Sequence, residues 1–245
     1  MNSNSLKGSL CAKRGYCFEI DMFNYINDDI KSENIMIPHI ISELKNKIER
    51  DYYKKISSLM CIKPERGYNN SNPKADIIIK FTFDDGSDEL IGFSLKCSSK
   101  SSVSVHECNI NTMFKALKIH KNHNNKINQI IKLFFKNGNW KTVEEKFSIE
   151  EIKSELEKCR DRLLKWAISS GNGGSKSQYL ILYNPKIKKF RICKDDDYIK
   201  EISQKYGLKR GCPLSWTRPS KKQGYKIQFK MPLNYKEEQI DEVTN

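Results

Sequence analysis

The chain has 245 residues, 38% of them hydrophobic and 10% aromatic, enough to build a buried core and too apolar for a disordered tail. Its apolar runs, such as "ADIII" and "YLILY", are too short to span a bilayer, and the opening "MNSNSLKGSLCAKRGY" lacks the apolar centre of a secretory signal. Lys and Arg number 44 against 30 Asp and Glu, a net charge of +14, which favours polyanionic partners.

The basic excess is local. Residues 186–230 carry fourteen basic and four acidic side chains, 14 − 4 = 10 of the fourteen net charges. A coding bias toward Lys, Asn and Ile would spread lysine evenly, so the concentration points to nucleic acid. The eight cysteines form no CxxC pair, and His120 with His123 has no cysteine pair to complete a zinc set. Free thiols and a cytoplasmic location are the expectation.

In chain order, residues 16–33 predict an amphipathic helix with Phe18, Met22, Phe23 and Ile26 on one side. A second helix, "HIISELKNKIERDYYKKISSLM", follows Pro38, which suits a helix start. The polar stretch "PERGYNNSNPK" is dense in turn formers. "ADIIIKFTF" then reads as a strand, "DDGSD" as a turn, and "ELIGFSLKC" and "SVSVHE" as two more strands, together an antiparallel meander. Helices are predicted at 109–136 and 148–169. In the second, Ile149, Ile152, Leu156, Cys159, Leu163 and Trp166 recur at core-helix spacing. "SGNGGSKS" reads as a flexible loop, followed by strands "QYLILY" and "KKFRIC", a helix near 196–206, and strands around "LSWT" and "YKIQFKM". The pattern is α/β, a mixed central β-sheet flanked by helices in one unit over 1–245.

Alternation on the first two strands brings a carboxylate and a lysine together. Asp76 shares a face with Ile78, Lys80 and Thr82, and Ser94 shares one with Lys96. An antiparallel turn sets Asp76 near Ser94 and Lys96. Such a pair is commonly a structural salt bridge, but this one sits at strand ends beside loops rich in Asn, Ser and Lys. The spacing of "PKAD" and "SLK" is similar to the PD-(D/E)XK nuclease motif, which by itself is short enough to arise by chance. Phosphodiester hydrolysis needs an activated water and cancellation of phosphoryl charge, tasks suited to a carboxylate-held cation and an ammonium.

A longer stretch is more specific. "NPKADIIIKFTFDDGSDELIGFSLKCSSKSSVSVHE" resembles the MspI-type restriction endonucleases, with their "SPKTD" opening, "IRFTF" strand, N-x-K and "SSKKKVS". The resemblance resumes at "LSWTRPSKKQGYKIQFK", similar to that family's "LNWT…KKMQFK", and more faintly at "KRGYCFEIDMF". It implies a restriction-endonuclease-like fold with a catalytic core about 10–137 and a basic DNA-recognition region about 177–232. The implied activity is Mg²⁺-dependent cleavage of double-stranded DNA at a short palindrome, CCGG, leaving 5′-phosphate ends. Asp76 would be a metal ligand and Lys96 the catalytic lysine, while Ser94 departs from the family's asparagine. Glu19 matches a glutamate in the family's "LYEKY" segment and is a second candidate ligand, or else a solvent-exposed or helix-capping acid. Ser104, Thr217, Gln228 and Lys230 match positions at or beside base contacts. Lys100, Lys221 and Lys222 suit phosphate contacts. The family's biology further implies a cognate DNA methyltransferase without a stable complex, and a monomer or homodimer. A nuclease with a repair or nicking role, and a DNA-binding module with a decayed centre at Ser94, are the alternatives.

Overall fold

Two β-sheets and their covering helices make up the chain in the computed structural model, which describes residues 3–28, 36–66, 72–120, 125–205, 210–218 and 226–235. The central sheet has the strand order β1 (Ile56–Ile62), β2 (Ile77–Phe83), β3 (Asp88–Cys97), β5 (Tyr179–Asn184), β6 (Lys189–Lys194). Its β3–β5 pairing is parallel and the rest antiparallel, so the sheet is mixed, as the sequence pattern predicts. A second sheet has the order β4 (Ser102–Asn109), β8 (Lys226–Pro232), β7 (Ser215–Thr217), all antiparallel.

Alternation dictates which face of β2 is buried. Ile77, Ile79, Phe81 and Phe83 are all buried, packed in one core with Phe18 and Met22 of α1 (Ser3–Asp28) and Ile37, Ile40, Leu44 and Ile48 of α2 (Met36–Tyr52). Each such side chain contributes roughly 1.5–3 kcal/mol by leaving water. A second core gathers around Trp166, Trp216 and Phe229, joined by the helices α3 (Ile110–Leu117), α4 (Lys126–Asn137), α5 (Lys141–Glu144), α6 (Ile149–Glu157), α7 (Arg160–Lys165) and α8 (Asp195–Lys205).

Several sequence expectations need correction. The first helix begins at Ser3, well before residue 16, and residues 29–33 lie outside the described residues. The second helix stops at Tyr52, and Tyr53 takes a left-handed φ of 54°. Residues 56–62, expected to continue that helix in part, instead pair with β2, Leu59 opposite Phe81 and Cys61 opposite Ile79. The supposed meander ends after two strands, because β3 takes β5 as its next neighbour while β4 crosses to the second sheet. The 109–136 helix is two. Asn109 caps α3, Lys118 ends it with φ 55°, and Asn125 caps α4.

Residues 148–169 also divide. Ser148 and Glu151 form a reciprocal capping box at the start of α6, α7 follows, and Trp166–Ser170 forms a π turn closed by Gly171 N–H on Trp166 C=O. Ile152, Leu156, Cys159, Leu163 and Trp166 are buried as expected, whereas Ile149 is 36% exposed and outside the core face. The loop expected to be flexible is tied down. Ser175 N–H donates to Glu65 C=O, the N–H groups of Lys74 and Ala75 donate to Ser175 C=O, and Gln178 N–H donates to Gly92 C=O. A Cβ on Gly92 would stand 2.0 Å from Lys176 C=O, so only glycine lets this loop cross β3 there.

Candidate active site

Asp76 precedes β2 by one residue, and its N–H donates to Phe93 C=O of β3 at 2.8 Å. That bond continues the ladder and holds Asp76 beside Ser94. Three donors then converge on Asp76 Oδ2. Leu95 N–H donates at 2.6 Å, the Lys96 ammonium at 2.8 Å and the Ser94 hydroxyl at 3.1 Å. The strand alternation therefore brings Asp76, Ser94 and Lys96 together as the sequence implies. Ser94 is buried, and Lys96 is partly so.

Glu19, on α1, lies within range of this centre's charges. Burial raises its carboxyl from the ordinary 4.5 to about 7, the Asp76 charge adds to the rise, and Lys96 opposes it. Such mutual influence requires proximity, so the faintest part of the sequence resemblance lands beside the strongest. Among the described residues no group of three or more His, Cys, Asp or Glu side chains is arranged to hold a metal. The available donors are two carboxylates, Asp76 and Glu19. Hard oxygen donors of that number fit Mg²⁺, which keeps several waters and takes one or two carboxylates. Ser94 adds little as a ligand while its hydroxyl is turned toward Asp76.

Two buried polar residues and one half-buried histidine around this centre escaped the sequence reading. Lys74 is 8% exposed, and its ammonium donates to Val105 C=O at 2.5 Å and to Ala167 C=O of the π turn. Burial lowers it to about 7, Lys96 repels it, and Asp76 and Asp195 attract it. Asp195, at the first position of α8, is 2% exposed. Burial raises its carboxyl to about 7 against the pull of the nearby Ser177 and Ser169 hydroxyls. Each of those hydroxyls donates its single proton elsewhere, Ser169 to Ser177 C=O and Ser177 to Tyr179 C=O. His106 packs edge-on against Trp166, with ring centroids 4.3 Å apart, and burial lowers it to about 3, Lys74 adding to the effect. The signal for Lys74 was its place inside "NPKAD". Asp195 was hidden in "DDD", which reads as an ordinary acidic helix start.

The second sheet presents a polar row. Ile227, Phe229 and Met231 of β8 are buried, while Lys226, Gln228 and Lys230 face outward. Lys230 stands opposite Ser104 on one side and Ser215 on the other, and Gln228 stands between Glu107 and Thr217. Thr217 donates to Gln228 C=O at 3.3 Å, and Lys226 pairs with Glu107 at 3.1 Å. Ser104, Thr217, Gln228 and Lys230 thus lie on one small sheet. Trp216 is buried against Phe134, Trp140 and Phe229, a packing anchor. Lys100 is exposed in the turn between β3 and β4. Lys221 and Lys222 lie outside the described residues.

The family model described as restriction endonuclease MspI matches residues 8–231. Type II restriction enzyme BsuFI of Bacillus subtilis is 32% identical over 168 residues, 66% of this chain and 41% of that enzyme. Type II restriction enzyme MspI of Moraxella sp is 28% identical over 181 residues, 65% of this chain and 64% of that one. Both matches therefore span less than two thirds of the relative's length. The crystal structure of restriction endonuclease MspI in complex with its cognate DNA superposes with a TM-score of 0.69 at 20% identity. That match covers 94% of this chain and 93% of the other, a likeness of fold over nearly the whole length. The chain belongs to the MspI restriction endonuclease family.

Proposed function

We propose that this protein is a type II restriction endonuclease that hydrolyses double-stranded DNA with Mg²⁺ at a short palindrome, CCGG, leaving 5′-phosphate ends. The observation that carries the reading is the convergence of Ser94, Leu95 N–H and Lys96 on one oxygen of Asp76. In this reading residues 1–245 act as one nuclease domain, with a catalytic core about 10–137 and a basic recognition region about 177–232.

Asp76 and Glu19 would hold the cation, which when bound supplies positive charge to the scissile phosphate. The chain's own contribution centres on Lys96. Its ammonium, held by Asp76, has protons left to orient an attacking water and to offset charge on a phosphate oxygen. Ser94 fixes the Asp76 carboxylate. Burial around Glu19 limits competing water, which strengthens each of these charge interactions.

Base reading is assigned to Ser104, Thr217, Gln228 and Lys230, and phosphate contacts to Lys100, Lys221 and Lys222. A lysine donating to guanine O6 and N7 suits a G·C-rich site. The outward row on β8 supports this reading, since a strand facing DNA needs its polar residues on one side. A cognate methyltransferase, a cytoplasmic location and action as a monomer or homodimer belong to the same proposal. Among the described residues no helix is long and apolar enough to cross a membrane.

The test is a digest of unmethylated plasmid with Mg²⁺ and with EDTA, followed by sequencing of the fragment ends. Discrete Mg²⁺-dependent fragments ending at CCGG are expected. Nicked circles alone would favour a nicking role. An intact plasmid that the protein still shifts in a gel would mean that Ser94 marks a decayed centre.

A further inference from the structure

We propose that Lys74 is a positioning residue that sets the Asp76–Lys96 pair in register with the base-reading sheet, an inference that rests on the nuclease reading above. Lys74 stands two residues before Asp76, and its backbone N–H is fixed by Ser175 C=O at 2.9 Å. Its side chain leaves the central sheet and ends on two carbonyls that belong to other elements, Val105 of β4 and Ala167 of the π turn.

Both acceptors occupy irregular backbone. Along β4, Ser104 stands opposite Lys230 and His106 opposite Phe229, so Val105 between them has no partner on β8. Such a bulge bends its strand and re-aims the neighbouring side chains. The neighbour here is Ser104, and the residue across from it is Lys230. The π turn is the second irregularity, and turns of that kind interrupt the ordinary helical bonding pattern. Its Trp166 packs on His106 of β4 and on Phe229 of β8. One ammonium therefore joins the chain entering the catalytic strand to the bulge beside Ser104 and to the turn that supports β8.

The path of the side chain is also shaped for it. Gly171 closes the π turn with φ 55°, and a Cβ there would lie 2.7 Å from Lys74 Cγ. The buried Asp195 supplies an opposite charge in the same interior. A buried ammonium is costly to desolvate, and an apolar chain of similar length would fill the space without that cost. Core packing alone gives no reason for a lysine here, whereas fixing two carbonyls relative to Asp76 does.

Purified full-length Lys74→Met is compared with wild type on a duplex containing the site found in the plasmid digest. Affinity is measured with Ca²⁺ in place of Mg²⁺, the cleavage rate in a single turnover with Mg²⁺, and stability by thermal melting. Affinity is expected to stay within about threefold while the rate falls roughly 100-fold, the split of an interaction used in the transition state and not in binding. Because Lys74→Met removes a positive charge that attracts the buried Asp195, Lys74→Met with Asp195→Asn is the second variant, and the same split is expected. Rate and affinity falling together in the folded double variant, or a wild-type rate in either, would overturn the proposal. Wild-type protein that cuts no DNA would overturn the nuclease reading instead, a distinguishable failure.

Discussion

Lys96 and Leu95 both donate to the same oxygen of Asp76, one through its side-chain ammonium at 2.8 Å and the other through its backbone N–H at 2.6 Å. Adjacent residues on a strand send their side chains to opposite faces. Leu95 is therefore free to bury its side chain in the core while its backbone holds the carboxylate, and Lys96 reaches the same atom from the polar face. The centre is anchored by the strand that displays it.

Lys96→Ala removes the only cation bonded to Asp76 among the described residues. Cleavage of the cognate duplex is expected to fall roughly 10²–10⁴-fold, the range for a group acting on proton or charge in the transition state. Affinity for the duplex, measured with Ca²⁺, should change by no more than about threefold. Single-turnover cleavage beside a binding titration checks both. A variant that still cuts within an order of magnitude of wild type would remove Lys96 from the mechanism.

Ser94→Asp tests why a hydroxyl stands where the family carries an asparagine. The Ser94 side chain is buried and donates to Asp76, so the substitution replaces a donor with a second carboxylate. Two close carboxylates repel, and the metal-free protein should lose about 1–3 kcal/mol of stability. A divalent cation offsets that repulsion, so thermal melting should show a larger rise on adding Mg²⁺ for the variant than for wild type. Equal rises would argue that position 94 does not face the cation.

Much of this centre was legible because it is local. β2 and β3 alternate cleanly, the four residues 84–87 join them, and antiparallel pairing alone sets Asp76 against Ser94. The spacing of Ile56, Leu59 and Met60 misled, since it extends the α2 pattern, and only pairing with β2 makes those residues a strand. The parallel contact of β3 with β5 joins residues far apart in sequence, and no local pattern announces it. Lys74 was hidden for a similar reason. Its two acceptors lie 31 and 93 residues away, on a bulge and a π turn that depend on tertiary packing.

If Glu19 holds the cation as proposed, metal use should depend on pH. Its carboxyl is raised to about 7, so below that pH a proton competes with the cation for it. The Mg²⁺ concentration giving half-maximal cleavage should fall as pH rises from 6 to about 8. The sign for stability is opposite. A carboxyl whose folded pKa exceeds its unfolded 4.5 stabilises the fold at low pH and loses that contribution as pH rises through about 7. In EDTA, the melting temperature of Glu19→Gln relative to wild type should therefore increase from pH 5 to about 8. A difference independent of pH would show that Glu19 titrates normally.

Lys230→Ala tests base reading apart from chemistry. Lys230 lies between Ser104 and Ser215 on the outward face of β8, while its neighbours Phe229 and Met231 are buried. Truncation should therefore leave the core intact, with melting changed by less than about 0.5 kcal/mol, as for other surface substitutions. If the lysine donates to guanine, discrimination against a changed base at that position should drop by about 1–3 kcal/mol. A phosphate contact would act differently, weakening all duplexes alike and reducing the salt dependence of binding by about one unit of slope. Competition between the cognate duplex and four single-base variants, at two salt concentrations, separates the two roles. Uniform weakening would move Lys230 from the base edges to the backbone and leave Gln228, Thr217 and Ser104 to carry the specificity.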